Sequence, residues 1–180
     1  MKVPFVDLKT QYQSLKNEID EAIQSVINDT AFIKGKYVDK FEREYAEAYG
    51  VNHCISCGNG TDAIYTVLKA LEIGNGDEVI TVANSWISTS ETITQAGAIP
   101  VFVDIDPNYY TIDISSIEQK ITSKTKAIIP VHLFGHPSDM DEVVNICKKY
   151  NLKLIEDCAQ AHFAEWKSRK VGTIGIAGTF

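Results

Sequence analysis

Residues 140–162 read MDEVVNICKKYNLKLIEDCAQAH, and this stretch decides the fold. Residues 140–150 carry apolar positions at helical spacing, and residues 152–157 form a strand, with Leu152, Leu154 and Ile155 as its apolar positions, that delivers Asp157 to its carboxyl end. Working outward, the same rhythm recurs. Strands are predicted at residues 53–56, 78–83, 100–104, 127–133 and 152–157, with helices at 61–71, 88–96, 114–121 and 140–150. Apolar strands alternating with helices mean an α/β fold, with a mostly parallel sheet and helices on both faces. Pro130 interrupts hydrogen bonding in its strand, which predicts a short element or one near an edge. Upstream, Leu8, Tyr12, Leu15, Ile19, Ile23 and Val26 recur at spacings of three or four, so residues 7–28 read as a helix capped by Asp7. A second helix carries Val38, Phe41, Tyr45 and Ala48 on one face and closes at Gly50.

Composition bounds the function. The 180 residues hold 24 acidic and 17 basic side chains, and 24 − 17 gives a net charge of −7. With 44% hydrophobic and 23% charged residues the chain is globular rather than disordered. Lys and Arg form no cluster, which argues against a nucleic-acid partner. No apolar run reaches the roughly 18 residues of a membrane span, and the first residues lack the apolar core of a secretion signal. The expected compartment is the cytoplasm. Cys54, Cys57, Cys147 and Cys158 fit that address as small core hydrophobes. The Cys54/Cys57 pair has redox or zinc spacing, but a separation of three in a strand points the side chains to opposite faces. No second close pair completes a zinc set.

In an open parallel sheet, ligands bind beyond the carboxyl ends of the strands. Three groups there can carry chemistry. Gly58-Asn59-Gly60-Thr61-Asp62-Ala63 lies between a strand and a helix, where free N–H groups bind phosphate; the plain alternative is a tight turn with an ordinary cap. Its spacing also matches a dinucleotide fingerprint. The next strand ends in Val82-Ala83-Asn84-Ser85 without the acid a ribose needs, so a nicotinamide oxidoreductase is weakened. Asp157, buried at its strand end, calls for a cation or donor, and a protonated pyridine nitrogen is one such partner. A helix cap is the plain reading of the same residue. A metal held by His132, His136 and His162 is another possibility, but His132 and His136 lie in a loop and share no helix face. Trp86, just past a strand end, can stack on a flat ring or simply pack.

Together these features resemble the DegT/DnrJ/EryC1/StrS family of sugar aminotransferases, pyridoxal-phosphate enzymes of the aspartate-aminotransferase fold (fold type I). The likeness is carried by Val3-Pro4-Phe5-Val6-Asp7-Leu8, Phe32-Ile33-Lys34-Gly35, Asn59-Gly60-Thr61-Asp62-Ala63, Gly76-Asp77-Glu78-Val79-Ile80, Pro130-Val131-His132-Leu133-Phe134-Gly135 and Glu156-Asp157-Cys158-Ala159-Gln160-Ala161-His162. The resemblance implies that Gly60, Thr61 and the backbone of Asp62 hold the cofactor phosphate. It implies that Trp86 stacks on the ring, Asp157 pairs with the ring nitrogen and Gln160 bonds the phenolic oxygen. His162 and Phe163 become substrate candidates; many relatives carry Gly where this chain has Phe163, and the pair resembles a subgroup acting on 3-keto, 6-deoxy sugars.

The implied activity is transfer of an amino group, usually from glutamate, to a keto group of a nucleotide-linked deoxysugar, 3-keto before 4-keto. A homodimer and small-molecule partners are implied as well. The family's Schiff-base lysine lies in a Ser-Phe-x-Pro-x-Lys run after a Gly-Thr-Phe like Gly178-Thr179-Phe180, so it is expected just past this sequence. The fold is accordingly expected to be truncated. Residues 1–34 are expected to form an N-terminal helix and active-site loop, and 35–180 the N-terminal part of the cofactor-binding large domain, with the small C-terminal domain outside the chain. A chain that truly ended at Phe180 would be a non-catalytic binder of pyridoxal phosphate or a sugar nucleotide.

Overall fold

The computed structural model describes residues 3–180, which divide into a unit up to Ser56 and a unit from Cys57 to Phe180. The first unit holds α1 (Leu8–Asn28) and α2 (Lys36–Tyr49). Asp7 caps α1 as its position predicts, its Oδ1 accepting the Thr10 N–H at 3.0 Å. Gly50 closes α2 with a left-handed φ of 71°. The expected boundary at 34/35 falls inside this unit, in the turn between its helices. The strand expected at 53–56 does not form: the segment pairs with no strand among the described residues, and Ile55 is 81% exposed. An apolar run needs a neighbour to become a strand, and local sequence cannot supply one.

The second unit is built on a five-stranded parallel sheet. In chain order its elements are α3 (Gly60–Ala70), β1 (Glu78–Val82), α4 (Ser88–Ala96), β2 (Ile99–Val103), α5 (Ile114–Ile117), β3 (Thr125–Ile129), α6 (Met140–Tyr150), β4 (Lys153–Asp157), a small antiparallel hairpin of β5 (Glu165–Trp166) and β6 (Arg169–Lys170), and β7 (Ala177–Thr179). The sheet order is β2-β1-β3-β4-β7, and every neighbouring pair is parallel. Pro130 ends β3 at Ile129, and the strand is short. It is central rather than at an edge, and pairing with β4 continues past the proline, whose carbonyl accepts the Asp157 N–H at 3.1 Å while the His132 N–H reaches the Asp157 carbonyl at 3.1 Å.

Side-chain alternation sorts the core into two layers. Ile80, Val82, Ile128 and Leu154 meet Ile117 and the Met140, Val143 and Ile146 face of α6. Val79, Ala127, Ile129 and Ile155 meet Ile64 and Leu68 of α3 and Ile93 of α4. Each fully buried Ile or Leu here contributes roughly 1.5–3 kcal/mol relative to exposure. The two layers fix the site. Residue 157 has the parity of Ile155 and faces α3 and α4, whereas residue 156 shares the side of Leu154.

The connection from β4 to β7 contains no helix. Only Gly fits at 178, since a Cβ there would stand 2.4 Å from the Gly172 Cα. Among the described residues no helix is long and apolar enough to cross a membrane.

Candidate active site

The carboxyl ends of β1, β3 and β4 and the amino ends of α3 and α4 surround a cleft of about 300 Å³. Its walls include Gly60, Thr61, Trp86, Asp157 and Gln160, so five of the residues singled out from sequence converge. Ser85, Ser88, Thr89, Val131, Leu133 and Ala159 complete much of the lining. Asp62, His162 and Phe163 do not line it. The Asp62 side chain is exposed, and its N–H is already bonded to the capping Asn59 Oδ1 at 2.9 Å. The His162 ring lies 5.3 Å from that of Phe180, and Phe163 is exposed with a φ of 60°.

Asn59 caps α3, whose first turn starts at Gly60. The N–H groups of Gly60 and Thr61 have no hydrogen-bond partner among the described residues. Unpaired donors at the start of an 11-residue helix form an anion-binding end. Thr61 Oγ1 lies 2.7 Å from Ser88 Oγ, adding a hydroxyl pair beside those donors. A Cβ at Gly60 would come within 3.3 Å of the Phe180 carbonyl oxygen, a contact that the neighbouring backbone would have to shift by a few tenths of an ångström to accept.

Asp157 forms the inner wall and is 5% exposed. Thr89 Oγ1 donates to its Oδ2 at 2.8 Å, and the Ala159 N–H reaches Oδ1 at 3.3 Å. Burial pushes this carboxyl above the usual range, and these two bonds recover only part of the shift. No Lys or Arg pairs with it among the described residues. No α-helix starts after it, so capping does not explain its placement. Gln160 uses its Oε1 to accept the Phe134 N–H at 2.9 Å. Phe134 sits in left-handed backbone with a φ of 55°, and its ring is 84% exposed. At the mouth of the cleft Trp86 is 75% exposed, a large ring without the burial that core packing would give.

On the opposite face, Glu156 is fully buried. It accepts N–H bonds from Gly172 at 2.8 Å and from Ile174 and Gly175 at 2.7 Å each. His132 Nδ1 accepts the Ser138 N–H at 3.1 Å, so Nε2 carries the hydrogen and donates to Glu156 at 3.3 Å. Burial pushes this carboxyl up, but the bonds from His132, Gly175 and Gly172 outweigh it and hold it below the usual range. Ligand atoms of His132, Glu156 and Cys158 lie within 4.8 Å of one another. They meet as a hydrogen-bond hub: the carboxylate accepts four donors, and burial pushes the Cys158 thiol up. His136 stands apart, exposed and stacked on Tyr109 at 5.9 Å.

Of the cysteines, Cys147 and Cys158 are buried, Cys54 is half-buried and Cys57 is exposed, so the core reading holds for the first two. Sequence reasoning passed over Ser85, Ser88, Thr89 and Glu156. The hydroxyl-rich run after β1 and an acid inside the apolar strand Leu154-Ile155-Glu156 were the available signals.

The sequence pattern of the DegT/DnrJ/EryC1/StrS aminotransferase family matches residues 13–180. The chain belongs to that family. It is 47% identical over its whole length to a pleiotropic regulatory protein of Geobacillus stearothermophilus, of which it covers 48%. It is 46% identical over 178 residues to the dTDP-3-amino-3,6-dideoxy-alpha-D-galactopyranose transaminase of Aneurinibacillus thermoaerophilus, covering 99% of this chain and 49% of that protein. Among solved structures, DesV of S. venezuelae, in complex with a ketimine intermediate, superposes with a TM-score of 0.92 at 37% identity, over 95% of this chain and 46% of that one. The chain thus spans about half the length of the family members it matches. Membership in the DegT/DnrJ/EryC1/StrS family accounts for the parallel sheet and for the ordered motifs read from the sequence.

Proposed function

We propose that this chain is the cofactor-holding part of a pyridoxal-phosphate-dependent aminotransferase. The reaction moves an amino group, from glutamate, to a keto group of a nucleotide-linked deoxysugar, with the 3-keto position preferred. The observation that supports it most is the buried Asp157 carboxyl, without a cation, in the same cleft as the unpaired N–H groups of Gly60 and Thr61. One end of the cleft suits a phosphate and the other a protonated ring nitrogen, with an exposed indole between solvent and cleft. These residues fit pyridoxal 5'-phosphate. When bound, that cofactor supplies an electron sink for cleavage next to the amino nitrogen.

The residues divide the work. Gly60, Thr61 and Ser88 bind the phosphate through backbone and hydroxyl donors. Trp86 covers the ring. Ionised Asp157 holds a proton on the ring nitrogen, and Gln160 donates its amide N–H to the phenolic oxygen. Asp62 supports this end through its place in the first turn of α3. His162 and Phe163, outside the cleft wall, are assigned to the sugar side. The 3-keto preference rests on the His162-Phe163 pair and agrees with the 3-amino product named for the Aneurinibacillus relative.

On this reading residues 1–34 supply a helix and an active-site loop, and residues 35–180 the start of the large domain. A small C-terminal domain lies outside the chain, and the Schiff-base lysine belongs to a run following Gly178-Thr179-Phe180. The partners are small molecules and a second copy of the chain, in the cytoplasm, without nucleic acid or membrane.

The test uses the protein at its full natural length. Added pyridoxal phosphate is expected to give a band near the visible edge, fixed to one lysine by borohydride and bleached by glutamate. Reversible binding without lysine labelling would reduce the reading to a binding protein, and no binding at all would overturn it.

A further inference from the structure

Asp157 is held by α4 as well as by its own strand. Thr89 is 1% exposed, and its hydroxyl hydrogen is committed to Asp157 Oδ2 at 2.8 Å. With that hydrogen used, the 2.8 Å contact between Thr89 Oγ1 and Ser85 Oγ has one direction: Ser85 donates. The result is a directed chain, Ser85 to Thr89 to Asp157, entering the cleft from the start of α4. Nothing else on that side competes. The remaining residues that α3 and α4 bring to the cleft are Gly60, Thr61, Ile64 and Ser88, none of them with a charged side chain. The titratable neighbours of Asp157 are Glu156 and Cys158 along the strand and His132 from the loop after β3.

We propose that Thr89 is the positioning residue for Asp157, fixing one carboxylate oxygen through a hydroxyl chain that begins at Ser85. This rests on the cofactor reading above, but one of its readouts does not. A hydroxyl that donates to a carboxylate favours the ionised form, which is the form able to pair with a protonated ring nitrogen. Methyl-for-hydroxyl replacement keeps the shape and removes the donor. It leaves a buried carboxylate oxygen unsatisfied, so the proton moves onto Asp157 at higher pH.

The experiment compares wild type, Thr89→Val, Thr89→Ser and Ser85→Ala. Carboxyl 13C NMR of the cofactor-free protein follows the titration of Asp157, and absorbance follows pyridoxal phosphate binding against pH. Thr89→Val is expected to raise the Asp157 midpoint and the acid limb of the binding profile together by about one pH unit, or about tenfold weaker binding on that limb. Thr89→Ser restores both, and Ser85→Ala gives a smaller rise in the same direction. A Thr89→Val protein that binds more weakly at every pH, with neither midpoint moved, would show a packing role and overturn the proposal. Should Thr89→Val not fold, an unmoved midpoint in Ser85→Ala overturns it instead. Movement of the NMR midpoint in a protein that binds no pyridoxal phosphate would leave Thr89 as the Asp157 support and sink only the cofactor reading.

Discussion

Glu156 and Asp157 are successive residues on β4, 0% and 5% exposed, and they have opposite surroundings. Glu156 looks toward His132 and the turn at 172–175, where four donors reach its two oxygens. Asp157 looks toward α3 and α4, where it receives one hydroxyl and one long N–H bond. The same chemical group is therefore held below its ordinary proton affinity on one side of the sheet and above it on the other. Saturation marks the first carboxylate as a fastening of the fold. The shortfall of donors, with a cleft in front of it, marks the second as a group waiting for a charged partner.

The strongest way to break this contrast is Asp157→Ala. In the full-length protein it is expected to lower the transamination rate by about 10³-fold, the order seen when one preorganised electrostatic contact is lost. Steady-state kinetics checks it, and near-normal turnover would put Asp157 on the same structural footing as Glu156.

Next comes Glu156→Gln, expected to cost about 2–3 kcal/mol of unfolding free energy in denaturant titration, because an amide cannot accept all of the N–H bonds the carboxylate takes. Its pH signature is opposite to that of Asp157. Glu156 binds its proton less tightly folded than unfolded, so its stabilisation is present above the unfolded value near 4.5 and lost as the pH falls through the lower folded value. Asp157 binds its proton more tightly when folded, so its effect on the cofactor-free protein is a loss of stability as pH rises above about 3.8 toward the raised folded value. Stability curves of wild type, Glu156→Gln and Asp157→Asn against pH separate the two slopes.

The smallest expected effect is at Thr61→Ala, about 1 kcal/mol weaker pyridoxal phosphate binding with little change in melting temperature. Titration of absorbance and a thermal scan together read it.

Much of this was legible in the chain. The strands from β1 to β4 and the helices between them follow from apolar runs and 3.6-residue spacing, and Asp7 and Gly50 announced their caps. Trp86 and Asp157 were found because strand ends can be counted from sequence, Gly60 and Thr61 because a Gly-rich turn opens a helix, and Gln160 through the family resemblance. What stayed hidden depends on partners distant in the chain. The segment at 53–56 had the composition of a strand but pairs with no strand among the described residues, and Pro130 marked an end of β3 without telling that β3 is central. Thr89 shows its value only when α4 is laid across the end of β4, 68 residues away. Glu156 could have been singled out as an acid among hydrocarbons, but not its donors, since backbone N–H groups carry no sequence label.

The bond between the Phe134 N–H and Gln160 Oε1 settles which polarity this corner of the cleft offers. An amide has one accepting and one donating end, and an N–H from the main chain can bind only the first. The donating end of Gln160 is the one left over. A ligand atom that meets the Gln160 amide nitrogen must therefore present an oxygen or nitrogen lone pair, and that demand is set by a backbone atom the ligand never touches.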